Sequence, residues 1–274
     1  MPHCLISNVE INRNLKTNFG KVSELYDKAR IGYPEELIGD ALKFSKIDKK
    51  ARILDVGCGS GQLIESLFRK GFYIVGLDIS QDLVEIAKKK YSESPNVELV
   101  VGSFEDFETP KENFDAIFSG IAWHWVKPER RYEKAYEILK KNGALALVWY
   151  FQESNKSNFL GEIGKILDKY GGKNAGPAGQ RMKDYADFVH KELSENRFFN
   201  SVQRKEYSEE LEFSKNRYVE LVLTYGWVQS LSEKDRDNLI KDLQEVSGKY
   251  TEPLIIPYKY VLILARKKVE NTGS

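Results

Sequence analysis

Cysteine is scarce: only Cys4 and Cys58 occur among 274 residues, too few for a disulfide framework. Histidine is scarce too, and His3, His124 and His190 stand too far apart for a structural zinc site, so no metal is expected. Neither sign of charge predominates. The 42 basic and 41 acidic side chains leave a formal net charge of +1, which argues against a surface-wide field for nucleic acid or anionic lipid. Long apolar runs are missing as well. The longest, Ala144 to Phe151, is too short to cross a bilayer, and MPHCLISNVE lacks the charged-then-apolar layout of a signal peptide. A cytoplasmic protein without membrane or nucleic-acid partners is therefore expected.

What is present is a globular balance of 41% hydrophobic and 30% charged residues, arranged as alternating short apolar runs and helical patterns. PEELIGDALKFS starts with a proline suited to a first helical turn, followed by two glutamates where the helix dipole favours anions. After it, ARILDV, FYIVGLD, VELVVG, FDAIFSG and ALALVWY read as strands, separated by helices that include QLIESLFRKG and SQDLVEIAKKKY, the latter with Ser80 as N-cap. Strands alternating with helices imply crossover units and a parallel sheet buried on both faces. A helix is expected from Pro128 to Lys140, and two more over Ser157 to Tyr170 and Arg181 to Phe198, joined by the glycine-rich GGKNAGPAGQ. Beyond these come a strand over Val202 to Leu211, helices over Lys215 to Gln229 and Ser232 to Ser247, a last strand LIIPYKYVLILA, and a frayed tail.

ILDVGCGSGQL carries the chemistry. An apolar strand ends at Asp55 and runs into Gly57, Gly59 and Gly61 at the mouth of a helix, so bare backbone and exposed N–H groups face a ligand. A tight strand-to-helix turn also wants glycine for steric reasons alone. Context favours a ligand, because Asp78 stands at the end of the next strand, 21 residues past Gly57, where a carboxylate can accept from two ribose hydroxyls. The dinucleotide fingerprint G-x-G-x-x-G fails, since Gln62 occupies its third glycine position. Asp55 beside the loop would repel a pyrophosphate and suit an ammonium group. S-adenosylmethionine has that ammonium, a carboxylate, a ribose and no phosphate.

Taken in order, LDVGCGSGQL, VGLDIS, VGSFEDF, FDAIFSGIAWHW and ILKKNGALALVWY resemble the successive motifs of the class I S-adenosylmethionine-dependent methyltransferases. YDKARIGYP upstream resembles the entrance segment of their trans-aconitate and juvenile-hormone-acid methyltransferase-like branch. The resemblance implies an α/β fold with a Rossmann-like, seven-stranded, mainly parallel sheet and helical insertions forming a cap. It implies an N-terminal lid and cofactor-binding core over 1–150, a helical insertion over 151–200, and remaining strands with substrate-side helices over 201–274. Cofactor contacts are implied for Tyr26, Arg30, Asp55, Gly57, Cys58, Gly59, Asp78, Ile79, Ser103, Phe104, Glu105 and Ser119. Tyr26 and Arg30 would cover the methionine end, with the entrance segment and the GGKNAGPAGQ joint closing over the site. The third motif departs from the family by opening with Ser103, where aspartate is frequent.

The implied reaction is methyl transfer to a small molecule, most plausibly at an oxygen nucleophile such as a carboxylate. RNA or protein acceptors, a silent cofactor-binding module and a nicotinamide oxidoreductase are the alternatives. His124 and Trp125 are the catalytic candidates: the histidine as base or orienting group, the indole as a wall beside the sulfonium. Packing between indoles accounts for His124 equally well, and Trp123 fits either a core or a pocket. LVLTYGWVQSL is expected to be core, with Tyr225 and Trp227 reaching an acceptor only if that helix caps the pocket. Lys88, Lys89 and Lys90 read as a solvated helix end.

Overall fold

The protein is described by a computed structural model over residues 19–172 and 179–269. His3, Cys4, most of the GGKNAGPAGQ joint and the end of the tail lie outside the described residues. In chain order the elements are α1 (Phe19–Ala29), α2 (Glu35–Ser45), β1 (Arg52–Val56), α3 (Gln62–Phe68), β2 (Tyr73–Asp78), α4 (Gln81–Lys90), β3 (Val97–Val101), β4 (Phe114–Gly120), α5 (Arg131–Ile138) and β5 (Leu139–Gln152). The second half adds α6 (Asn158–Leu167), α7 (Gly179–Ser194), β6 (Phe199–Phe213), α8 (Lys215–Leu223), α9 (Gly226–Gln229), α10 (Glu233–Gly248) and β7 (Leu254–Lys267).

The strands form one seven-stranded sheet of order β3-β2-β1-β4-β5-β7-β6, parallel except for the pairs that β7 makes with β5 and β6. This is the Rossmann-like class I methyltransferase architecture that the resemblance implies. Because side chains alternate along a strand, Leu145, Leu147 and Trp149 enter the core on one face while Ala144, Ala146 and Val148 turn to the other. Apolar faces of α2, α3, α6, α8 and α10 pack on one side of the sheet. The other side holds α5 and α7. Ser80 caps α4 by accepting from the Leu83 N–H at 3.4 Å, as the sequence predicts.

Two expected helix bounds are corrected, and two features of α1 are added. The chain is helical from Phe19, where α1 finds its partners in distant α4 and α8. The fifth helix stops at Ile138, since Leu139 is already extended and pairs with Phe114. The helix expected over Lys215 to Gln229 breaks into α8 and α9, with Tyr225 extended at φ −72°, ψ 130° between them. Lys88, Lys89 and Lys90 are exposed at the end of α4, as expected, and Lys90 also pairs with Asp27 of α1 and donates to the Ser60 carbonyl at 3.1 Å, pinning α1 beside the glycine loop.

One buried ion pair holds α7 in place. The Arg131 side chain, 3% exposed, pairs with Glu192 and donates to the Tyr185 hydroxyl at 2.7 Å, while the Tyr132 hydroxyl donates to Glu192 at 2.9 Å. Removing one member of such a cluster strands the other in a poorly solvated place. Arg131→Ala is therefore expected to lower folding stability by about 3 kcal/mol, read as a shift of the urea midpoint at unchanged slope.

Candidate active site

The sheet order reverses direction between β1 and β4, and the crevice outside their carboxyl ends is where an open α/β sheet admits a ligand. The glycine loop fills one side of it. Gly57 sits at φ +74°, and a Cβ there would lie 2.1 Å from the Ala122 Cβ, so this position excludes any side chain. Its N–H donates to the Leu77 carbonyl at 2.7 Å, tying the loop to β2. Ser119 donates its hydroxyl to the Val56 carbonyl at 2.7 Å and so joins β4 to β1 beneath the crevice. Cys58 is buried, and burial holds its thiol well above the usual range, so it stays protonated.

The two carboxylates differ in their partners. Asp78 accepts from the Gly59 N–H and the Ser80 N–H, each at 2.8 Å. Those bonds use one lone pair on each oxygen and leave one on each for a pair of ribose hydroxyls. Burial raises its pKa while the backbone donors oppose the rise. Asp55 is fully buried, and neither of its oxygens has a partner among the described residues. Burial first, and the charge of Asp78 second, push its pKa up to about 8. An orphaned carboxyl at the cleft fits the ammonium of S-adenosylmethionine.

Above the loop lies α1. The Tyr26 ring comes within 3.6 Å of where a Cβ on Gly59 would stand. The Arg30 guanidinium lies 4.6 Å from the Tyr26 ring centre and 5.7 Å from that of Tyr225, and donates to the Thr224 carbonyl at 3.4 Å. Its Nε has no partner among the described residues, which fits a ligand carboxylate. On the far side of Asp78, Ile79 is 65% exposed, an apolar surface where a base can lie.

Three further residues of the implied cofactor set have partners of their own. Ser103 donates its hydroxyl to Asp106 at 2.7 Å within a local turn. Phe104 is buried against Trp123, with ring centres 5.5 Å apart. Glu105 accepts from the Lys127 N–H at 2.5 Å. The structure does not bring these three side chains into the cleft with Arg30 and Asp55.

Tyr26, Arg30, Ile121 and Tyr150 form a shared wall between this cleft and a second cavity of about 390 Å³. His124, Trp125, Gln152, Tyr225, Trp227 and Tyr258 line that cavity. The segment 221–231 therefore reaches the pocket: the helix breaks at Tyr225, which periodicity does not encode, and Leu221, Thr224, Tyr225, Gly226 and Trp227 line the cavity. Gln152 and Tyr258 escaped the sequence reading: Gln152 lies past the expected strand ALALVWY, which β5 extends, and Tyr258 lies within a strand that reads as core. Trp125 is 57% exposed, whereas Trp123 is wholly buried and is a core residue. His124 stacks 4.9 Å from Trp125 and meets Tyr185 edge-on at 5.7 Å, and burial pushes its pKa down to about 4. It is neutral at pH 7. Among the described residues, no aspartate or glutamate lines this cavity.

The raised Asp55 pKa has a measurable consequence. With a pKa of about 8 the carboxyl is mostly protonated at pH 7, and a bound ammonium favours its ionised form. S-adenosylhomocysteine binding at pH 7 is expected to release close to one proton, with affinity rising between about pH 6 and 8. Calorimetry in buffers of different ionisation enthalpy reads that proton, and Asp55→Asn should abolish its release.

Residues 54–147 match the family described as a methyltransferase domain. An uncharacterized methyltransferase of Schizosaccharomyces pombe is 24% identical over 238 residues, 86% of this chain and 88% of that protein. One from Mycobacterium tuberculosis is 27% identical over 159 residues, 58% of this chain and only 62% of that protein's length. Among solved structures, the YcgJ protein from Bacillus subtilis aligns with a TM-score of 0.51 at 17% identity, over 86% of this chain and 100% of that one, a likeness of fold. Sheet order, motif order and the family match agree: residues 54–147 are similar to a methyltransferase domain, and S-adenosylmethionine-dependent methyl transfer is the activity that the match supports.

Proposed function

We propose that the protein methylates a small molecule at an oxygen nucleophile that is already ionised when it binds, such as a carboxylate. The observation that carries this reading is the acceptor cavity itself, which holds a buried arginine and lacks a base strong enough to deprotonate an alcohol. His124, with a pKa near 4, is a weak base at neutral pH. The cavity tyrosines do not substitute for it, because burial raises the Tyr225 pKa to about 12 and that of Tyr258 well above its usual value. A carboxylate needs no base.

The cofactor, when bound, supplies a methyl group on a sulfonium that is open to in-line displacement. Asp78 holds the ribose hydroxyls in this reading, Asp55 takes the ammonium, and Arg30 takes the methionine carboxylate. Trp125 and Tyr150 line the acceptor cavity, and in this reading their aromatic rings attract the sulfonium charge. Positioning of donor and nucleophile is the protein's main contribution, worth about 7 to 11 kcal/mol where geometry is good. The resemblance of the Tyr26 to Pro34 entrance segment to the carboxylate-methylating branch supports the same assignment. His124 orients the acceptor.

Radiolabel transfer from S-adenosylmethionine to a panel of carboxylic acids and phenols, run beside bulk tRNA, tests the reading. Incorporation only into tRNA overturns it, and no incorporation anywhere would favour a silent binding module. Asp78→Ala should weaken S-adenosylmethionine binding by about 2 to 4 kcal/mol in a titration of the folded variant. An unchanged affinity would remove Asp78 from the site. For His124→Gln the expected loss of turnover at neutral pH is less than about tenfold, with a flat wild-type profile between about pH 6 and 8. A hundredfold loss would make His124 the base.

A further inference from the structure

The end of the acceptor cavity contributed by β5 and β7 contains a hydrogen-bond chain whose direction is dictated by chemistry. Gln152 on β5 stands opposite Tyr258 on β7 in the antiparallel register, and Tyr218 of α8 approaches from the core side. The Tyr218 hydroxyl donates to Gln152 Oε1 at 2.9 Å, and Gln152 Nε2 donates to the Tyr258 hydroxyl oxygen at 2.9 Å. An amide oxygen only accepts and an amide nitrogen only donates, so each link has one polarity. Turning the amide over would leave the Tyr218 proton without an acceptor in a place only 1% exposed to solvent, a costly loss. In the orientation present, the unpaired proton sits on Tyr258, itself only 2% exposed but lining the cavity, where a ligand oxygen can accept it.

Resting on the methyltransferase reading above, we propose that Tyr258 is a specificity-determining hydrogen-bond donor, aimed by the Tyr218 and Gln152 pair at an oxygen atom of the acceptor. No carboxylate among the described residues lines the cavity to receive a cation. Most of the remaining lining is apolar or aromatic, including Ile121, Met182, Leu221 and Trp227. The pocket thus takes an apolar-bodied molecule bearing a carboxylate or carbonyl oxygen and rejects a protonated amine of the same shape. Rejection follows because an ammonium finds no carboxylate here to pair with, whereas a carboxylate meets the Tyr258 proton.

The test is calorimetric titration of the full chain, first with S-adenosylhomocysteine and then, once saturated, with 3-phenylpropionate and 3-phenylpropylamine as shape-matched probes. The wild type is expected to bind the carboxylate at least about tenfold more tightly than the amine. Tyr258→Phe removes the proton but keeps the ring. Gln152→Glu keeps the size and still accepts from Tyr218, yet draws the Tyr258 proton back toward its own carboxylate. Both variants should lose carboxylate affinity about tenfold while holding S-adenosylhomocysteine within about twofold of wild type. The proposal is overturned if neither probe binds, if the amine binds as well as the carboxylate, or if both variants keep wild-type affinity for 3-phenylpropionate. Failure of the wild type to bind S-adenosylhomocysteine would instead overturn the methyltransferase reading, so the two failures are distinct.

Discussion

A buried carboxyl without a partner, Asp55, is the constraint around which the crevice is organised. It stands next to last in β1, between Gly76 of β2 and Phe118 of β4, in a register that the hydrophobic neighbours Leu54 and Val56 hold. Burying an ionised carboxylate there would be expensive, so the group takes a proton in the absence of a cation. The glycine loop, the Ser119 to Val56 bond and the α1 cover all keep water from relieving it. A site of this kind prefers a cationic ligand before any specific contact is counted.

Closure over the crevice depends on surface charges that look unremarkable in isolation. Asp27 of α1 receives Lys90 from α4 and lies 3.5 Å from the Gln62 amide at the start of α3. These contacts set Tyr26 and Arg30 over the glycine loop. On the opposite side of the acceptor cavity, the Arg131 cluster seats α7, whose Tyr185 packs against His124. One cation–carboxylate pair thus places the cofactor cover and another fixes the imidazole's surroundings. Neither touches the reacting atoms.

Much of the core was legible because each strand there is a short apolar run ended by a polar or glycine residue at the ligand side. ILDVG, YIVGLD and FDAIFSG each announce both a buried strand and the position of its carboxyl end. Asp55, Gly57 and Asp78 follow from the chemistry a nucleoside with an ammonium group requires. Gln152 and Tyr258 were illegible for the opposite reason. They occupy strand positions whose neighbours are core residues, and only the pairing of β5 with β7 brings them together at the cavity. Ser103, Phe104 and Glu105 were placed by resemblance, whereas their side chains satisfy Asp106, Trp123 and Lys127 locally.

By itself, the sequence determined the alternation of strands and helices, the glycine-lined turn and the carboxylates beside it, since these depend on period, backbone sterics and charge within a few residues. Tertiary structure alone decided which helix covers the crevice, that Tyr225 and Trp227 line the second cavity, and that Gln152 links Tyr218 to Tyr258 beside it. Those outcomes rest on contacts between residues as far apart as Arg30 and Thr224. The free energy of such contacts depends on burial and relative orientation, neither of which exists before the chain has folded.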